Sequence, residues 1–333
     1  MFKFARALSI LVAACLLTQM AIGQKKGKNR EIIRPADYAS PSFTNSDDLQ
    51  KILADSVNEV LASYPAGGFK SEDIAATLID IRDSSNMRIA NVTGEKAIYP
   101  ASVVKMFYMA ALHRQMEDGK VVLTKELERG LRDMIVDSSN EATQYILDVL
   151  TDTSSGSELP QKQFDEWQYK RNRVNRFFTS MGYTNINVNQ KTFCEDAYGI
   201  EQQSRGYKGK NRNMLTTNAT ARLLAEIALR RFVSVERSNA MLDLMKRDPF
   251  TESKDPNSQA TAFTGKALID GKFTGAKLWS KAGWVSRERH DAAYIETPDG
   301  LKFVLVVFTA NHANDRGAIP AIAGKVINAL KKQ

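Results

Sequence analysis

The chain reads as a mixed α/β fold of the α+β kind: an antiparallel sheet flanked by an N-terminal and a C-terminal helix, with an all-helical lobe inserted between the strands. Three observations predict it. Strand-like segments gather towards both ends, helical periodicity fills the middle, and each terminal block carries one amphipathic helix able to cover a sheet face. The sequence has 333 residues, 43% hydrophobic and 25% charged. A chain of this size removes about three quarters of its unfolded surface from water on folding.

Taken in order, residues 1–23 read as a secretory signal. Lys3 and Arg6 precede an apolar run from Ala7 to Ile22, and Ala21 and Gly23 stand where small residues mark a cleavage point before Gln24. The apolar run is shorter than the roughly 20 residues a membrane span needs, so no stable span is expected after cleavage. A lipid anchor at Cys15 is the weaker alternative, because the residues after it stay apolar. A secreted or periplasmic protein is the expectation. Loss of residues 1–23 removes two basic side chains and no acid from a formal charge of +8, leaving +6.

That excess sits in two places, "QKKGKNREIIR" after the cleavage point and "RGYKGKNR" from Arg205 to Arg212. Export argues against a nucleic-acid partner. The two stretches read as a solvated tail and loop, with attraction to an anionic cell surface as the alternative. Only Cys194 remains besides Cys15, and one thiol makes no intrachain disulfide.

Residues 24–45 form a basic leader, and the body runs over 46–333. Its first element is "SDDLQKILADSVNEVLASYP": Ser46 as N-cap, acids in the first turn, and Leu49, Ile52, Leu53, Val57, Val60 and Leu61 along one face. "DIAATLIDIRDSSNMRIANV" follows as two strands around a polar turn. The sheet lobe is expected over about 46–100 and 262–333, and the helical lobe over about 101–261. Within the latter, Thr151–Pro160 is a loop, 184–213 is weakly patterned, and Leu215–Phe232 is helical. "AKLWSKAG" and "DAAYIETPDGLKFVLVVFTA" supply the closing strands, the last two alternating around a Pro-Asp-Gly turn. "GAIPAIAGKVINALKK" supplies the last helix.

Three stretches carry chemistry. In "YPASVVKMFYMAALHRQ", Ser102 opens a helical run with Lys105 one turn on. Alone, the pair reads as a helix N-cap and a snorkelling surface lysine. "MIVDSSNEATQYILD" then places Ser138-Ser139-Asn140 between two apolar-periodic segments, and "LWSKAGWVSRERHDAAYIE" places Ser280-Lys281-Ala282-Gly283 on a strand.

In that order the stretches resemble the Ser-x-x-Lys, Ser-Asp-Asn and Lys-Thr-Gly motifs of the serine β-lactamase and penicillin-binding superfamily, with class A β-lactamases the most similar in motif order. The threonine-rich "NRNMLTTNATARLLAEI" resembles the helix that follows the omega loop in class A enzymes. The resemblance runs from about Ser46 to the end, weakest over 151–212, and implies the β-lactamase/transpeptidase-like fold. A serine hydroxyl needs a neighbouring base, and a lysine of depressed pKa one helical turn away is in reach. The resemblance implies Ser102 as nucleophile, Lys105 as base, Ser138 as proton relay and Lys281 as electrostatic partner. It also implies Asn140, Gly283 and Trp284 in substrate binding, with the Ser102 and Trp284 N–H groups as oxyanion hole. Arg287 and Arg289 are candidates to pair a carboxylate or, equally, solvated turn residues.

The departures are specific. Ser139 stands where the family usually has aspartate, Ala282 stands where it has threonine or serine, and the Ser102–Ser138 interval is short. No Glu-x-x-Leu-Asn string for deacylation exists, which leaves Glu195 and Glu201 as candidate acids, each also readable as an ordinary exposed carboxylate. Asp196 lacks the same setting. His113, His290 and His312 lie too far apart for a zinc pair, so neither metal nor cofactor is implied. His290-Asp291 reads as the start of a strand or as groups near the third motif. Trp167, Tyr169, Phe177 and Phe178 read as helical core beside a charged face.

The expected activity is therefore a secreted, monomeric serine hydrolase that acylates itself with a small-molecule β-lactam or peptidoglycan-type substrate. A D,D-carboxypeptidase or esterase on the same scaffold, or a non-catalytic peptidoglycan-ligand sensor, are the alternatives.

Overall fold

The computed structural model describes residues 30–65 and 68–333. The expected signal at 1–23 and the anchor at Cys15 lie outside the described residues. The fold occupies Glu31 to Gln333.

Seven strands form one sheet: β1 (Thr44–Asn45), β2 (Ile74–Asp80), β3 (Arg88–Val92), β4 (Lys246–Arg247), β5 (Lys277–Trp284), β6 (Arg289–Glu296) and β7 (Lys302–Thr309), in spatial order β1-β3-β2-β7-β6-β5-β4. Every pairing is antiparallel except the two-residue β1 against β3. The β6–β7 hairpin turns at the expected Pro-Asp-Gly, where Gly300 takes φ 93°, a conformation that costs glycine nothing. Both strands, which alternate as expected, are buried on both sides. The reason is a second helical layer.

On one face, Leu305, Val307, Ile295 and Leu278 pack against the helices α1 (Asp47–Ala62), α10 (Thr264–Asp270) and α11 (Ala318–Leu330). On the other, Val304, Val306, Phe308 and Ala292 pack against the inserted lobe. The period-two alternation of strand side chains therefore sorts residues between two cores rather than between core and water. Ser46 caps α1 as expected, accepting from the Leu49 N–H at 3.4 Å.

The inserted lobe holds α2 (Val104–Glu117), α3 (Lys125–Arg132), α4 (Asn140–Thr151), α5 (Gln161–Arg171), α6 (Arg173–Ser180), α7 (Ile200–Arg205), α8 (Thr217–Ala228) and α9 (Val235–Met245). At its centre α2 is buried on nearly every side, the polar Lys105, His113 and Gln115 included. Phe177 and Phe178 lie in this core, whereas Tyr169 is exposed beneath the Arg176 guanidinium. β4 belongs to the sheet although it falls within the stretch expected to be helical lobe. The leader is also partly structural: Glu31 pairs with Arg173 and Arg176, and the Tyr38 hydroxyl donates to Glu226.

Candidate active site

The three sequence motifs converge because three local devices aim them at one cleft. The first is a tight 3-10 turn, Ala101–Val103, that runs straight into α2. Ala101 takes φ 47° there, a costly conformation for a residue with a Cβ and one that clusters at functional sites. Ser102 is therefore not a helix N-cap: it lies inside the turn, and its side chain makes no cap bond. His290 on β6 pins the approach. Its Nδ1 accepts from the Thr309 N–H at 3.2 Å, which leaves the proton on Nε2 to donate to the Tyr99 carbonyl at 2.8 Å. Burial pushes this imidazole down to about 4, so it stays neutral.

The second device is a π-type turn, Asp133–Asp137, that ends with Ser138 in the left-handed region at φ 58°. Ser139 then caps α4, accepting from the Ala142 N–H at 3.0 Å. A serine in place of the family's aspartate thus acts here as a strong N-cap. The third device is β5. Lys281 pairs across to Ala292 and so faces the helical lobe, while Ala282 falls on the opposite core. Gly283 crosses the first turn so closely that a Cβ there would stand 2.6 Å from the Ser102 nitrogen. A glycine is required at that crossing.

Between these pieces lies a cleft of about 1710 Å³, lined by Ser102, Ser138, Asn140, Gly283, Trp284 and Arg287 among others. Lys105 and Lys281 sit behind it, both 0% exposed. Lys105 is therefore no snorkelling surface residue. Its Nζ donates to the Ser138 carbonyl at 2.5 Å, the Ser138 hydroxyl at 3.3 Å and Asn140 Oδ1 at 2.9 Å. Lys281 Nζ donates to the same Ser138 hydroxyl at 3.0 Å and to Gln259 Oε1 at 2.6 Å. Neither amine forms an ion pair with a carboxylate among the described residues. Burial pulls Lys105 down to about 7, with Glu141 and Cys194 partly opposing. Burial first, then the charges of Lys105 and Arg247, hold Lys281 well below the usual lysine range. Desolvation without a counter-charge is what depresses an amine.

Two candidates lie elsewhere. Glu201 does not line the cleft. It is clamped by Arg171 at 2.7 and 2.8 Å, with Ser155 at 2.9 Å and Lys191 at 3.3 Å. Burial raises its carboxyl, but Arg171 and Lys191 more than offset this and hold it below its usual range. Three of its contacts fall on Oε1 and both oxygens are held by Arg171, so the carboxylate is fixed away from the cleft where an acyl group would sit. Arg289 is likewise buried, over the Phe263 ring and against Asn257, and is not a carboxylate binder at the cleft. Arg287 does line the cleft, its guanidinium donating to Asn311. Glu195 also lines it and is exposed.

Three cations of the basic stretch, Arg205, Lys210 and Arg212, line the cleft, Lys210 and Arg212 remaining exposed there, so the solvated loop borders the site. Two residues with no motif are there too. Cys194 lines the cleft with its Sγ 3.5 Å from Asn140 Nδ2, and Gln259 contacts Lys281. The lone cysteine carried no spacing signal, and a glutamine in a polar loop carries none either. Among the described residues no group of three or more His, Cys, Asp and Glu side chains could hold a metal.

A β-sheet sandwiched between terminal helices and an inserted helical lobe, with Ser-x-x-Lys at their junction, defines the β-lactamase/transpeptidase-like fold. A family model described as "Beta-lactamase enzyme family" matches residues 126–330, and the chain belongs to that family. Among solved structures, a β-lactamase from Sphaerobacter thermophilus is similar at 20% identity and TM-score 0.57, covering 84% of this chain and 95% of its own. A class A β-lactamase representative from Bacteroides cellulosilyticus is similar at 14% identity and TM-score 0.58, covering 86% and 99%. A PBP-A variant solved as an acyl-enzyme with penicillin G is similar at 18% identity and TM-score 0.58, covering 88% and 100%. At such identities the likeness shows the fold. No curated protein matches the chain.

Proposed function

We propose that the chain is an exported serine hydrolase that takes the acyl group of a β-lactam, or of a peptidoglycan-type amide, onto Ser102. One observation carries the reading: two buried lysines share the Ser138 hydroxyl, and neither is paired to a carboxylate. In this arrangement the neutral Lys105 amine accepts the Ser102 hydroxyl proton as Oγ bonds to the carbonyl carbon. The backbone N–H groups of Ser102 and Trp284 meet the developing oxyanion. As the C–N bond breaks, Ser138 gives its proton to the leaving nitrogen and is reprotonated from the lysine pair. Asn140 and Arg287 hold the substrate's amide and carboxylate, and the wide cleft admits both groups.

Water must then release the acyl group. With Glu201 locked behind the cleft, Glu195 is the remaining candidate acid of the two, and it is exposed. Glu201's place behind the cleft, clamped by Arg171, favours a second reading on the same scaffold, a D,D-peptidase or sensor whose acyl-enzyme persists. The test is hydrolysis of a chromogenic cephalosporin and covalent labelling by a fluorescent penicillin. Labelling that requires Ser102 supports the proposal, and turnover beyond one equivalent selects the β-lactamase reading. Equal labelling of Ser102→Ala contradicts it.

A further inference from the structure

Gln259 sits in the loop between β4 and α10, a stretch with no motif. Its side-chain amide nevertheless makes four contacts that span the site. Oε1 accepts from Lys281 Nζ at 2.6 Å and from the Ala282 N–H at 3.1 Å. Nε2 donates to the Val136 carbonyl at 2.9 Å and to the Ile135 carbonyl at 3.3 Å. Those carbonyls belong to the turn that ends at Ser138. One amide therefore bridges the strand that carries the third motif and the turn that carries the second. We propose that Gln259 is a positioning residue, which fixes the Lys281 amine against the Ser138 hydroxyl and does so with a neutral acceptor.

Neutrality is the informative part. A glutamate has the same shape and would give Lys281 a salt bridge, but it would lose both donors to the turn and turn those contacts repulsive. The charged groups that face Lys281 are Lys105 from α2 and Arg247 from β4, which disfavour its charged form, and Asp291 from β6, which favours it. Asp291 is itself buried, with one oxygen accepting from the Thr264 N–H and the other unpartnered. Adding a carboxylate at position 259 would thus convert a depressed amine into an ordinary ammonium. The proposal rests on the acyl-enzyme reading for its effect on rate, but its geometric core does not.

The test compares the native chain with Gln259→Glu and Gln259→Met. The titration of Lys281 is followed by NMR of lysine-labelled protein, with Lys281→Arg for assignment, and acylation by a penicillin is followed against pH. The expected result is a higher Lys281 midpoint in Gln259→Glu, no upward move in Gln259→Met, and acylation slower by about 10- to 100-fold in both. The alkaline part of the Gln259→Glu pH profile should shift with the midpoint. An unmoved midpoint in Gln259→Glu overturns the proposal, as does native-like acylation in Gln259→Met. If Gln259→Glu does not fold, the acylation rate of Gln259→Met decides. If the native chain does not acylate at all, the acyl-enzyme reading fails on its own and the Lys281 midpoint still decides whether Gln259 governs that amine.

Discussion

Two clusters of buried charge, one inside the helical lobe and one where the lobe meets β5 of the sheet, are built on opposite principles. Around Glu201, Arg171 makes two short bonds to one carboxylate while Lys191 bridges it to Asp148 at 2.6 Å. Around Ser138, Lys105 and Lys281 are just as buried but meet only hydroxyl, carbonyl and amide oxygens. Burying an ion is tolerable when its partner is buried with it, and costly when it is not. The first cluster holds a loop; the second stores the unfavourable solvation that makes an amine basic without being charged.

Removing charge should break the two clusters in opposite ways. The largest effect falls on chemistry: Lys105→Met is expected to slow acylation about 10⁴-fold, as loss of a base does in enzymes of this kind, while the protein melts at or above the native temperature. Stopped-flow acylation and a thermal melt on one preparation read both. Next, Arg171→Met leaves Glu201 buried without its partner and should cost about 3–5 kcal/mol in chemical denaturation, with acylation by the folded fraction nearly unchanged.

The pH dependence sharpens the contrast. A lysine held near 7 in the folded chain and near its ordinary value when unfolded binds fewer protons folded than unfolded between those limits. Stability should therefore rise as pH increases from about 7 towards 10, and the rise should shrink in Lys105→Met. Glu201 is held below its unfolded value, so its contribution is present above about 4.5 and lost as acid is added. Denaturation midpoints measured at pH 3, 5, 7 and 9 separate the two, the first pair reading Glu201 and the last pair the lysine. The smallest effect concerns deacylation: Glu195→Gln should slow acyl release about 10-fold if that carboxylate orders water, whereas Glu201→Gln should lower stability first.

Much of this was legible beforehand, for local reasons. The Ser46 cap, the first hairpin, the Pro-Asp-Gly turn and the three motifs are each set within a few residues, and their order along the chain fixed where they would meet. What was hidden depends on distant partners. Glu201 read as a candidate deacylating acid or an exposed carboxylate because the Arg171 that clamps it lies 30 residues earlier. Lys105 read as a base only through the three motifs together, and alone looked like a surface residue, because the helix that carries it is covered on nearly all sides by segments far along the chain. That the solvated loop of Arg205, Lys210 and Arg212 borders the cleft was hidden because nothing local shows where the loop folds back. Gln259 and Cys194 carry no spacing signal at all, since one amide and one thiol acquire meaning only from what they touch.

The most direct measurement is the intact mass of the chain against time after mixing with a penicillin, run beside Ser102→Ala. An adduct of penicillin mass on the native chain, absent from Ser102→Ala and slowed as pH falls below about 7, is the predicted result. No adduct, or one that forms equally on Ser102→Ala, would contradict the assignment of Ser102 and its buried lysine pair as the acylating centre.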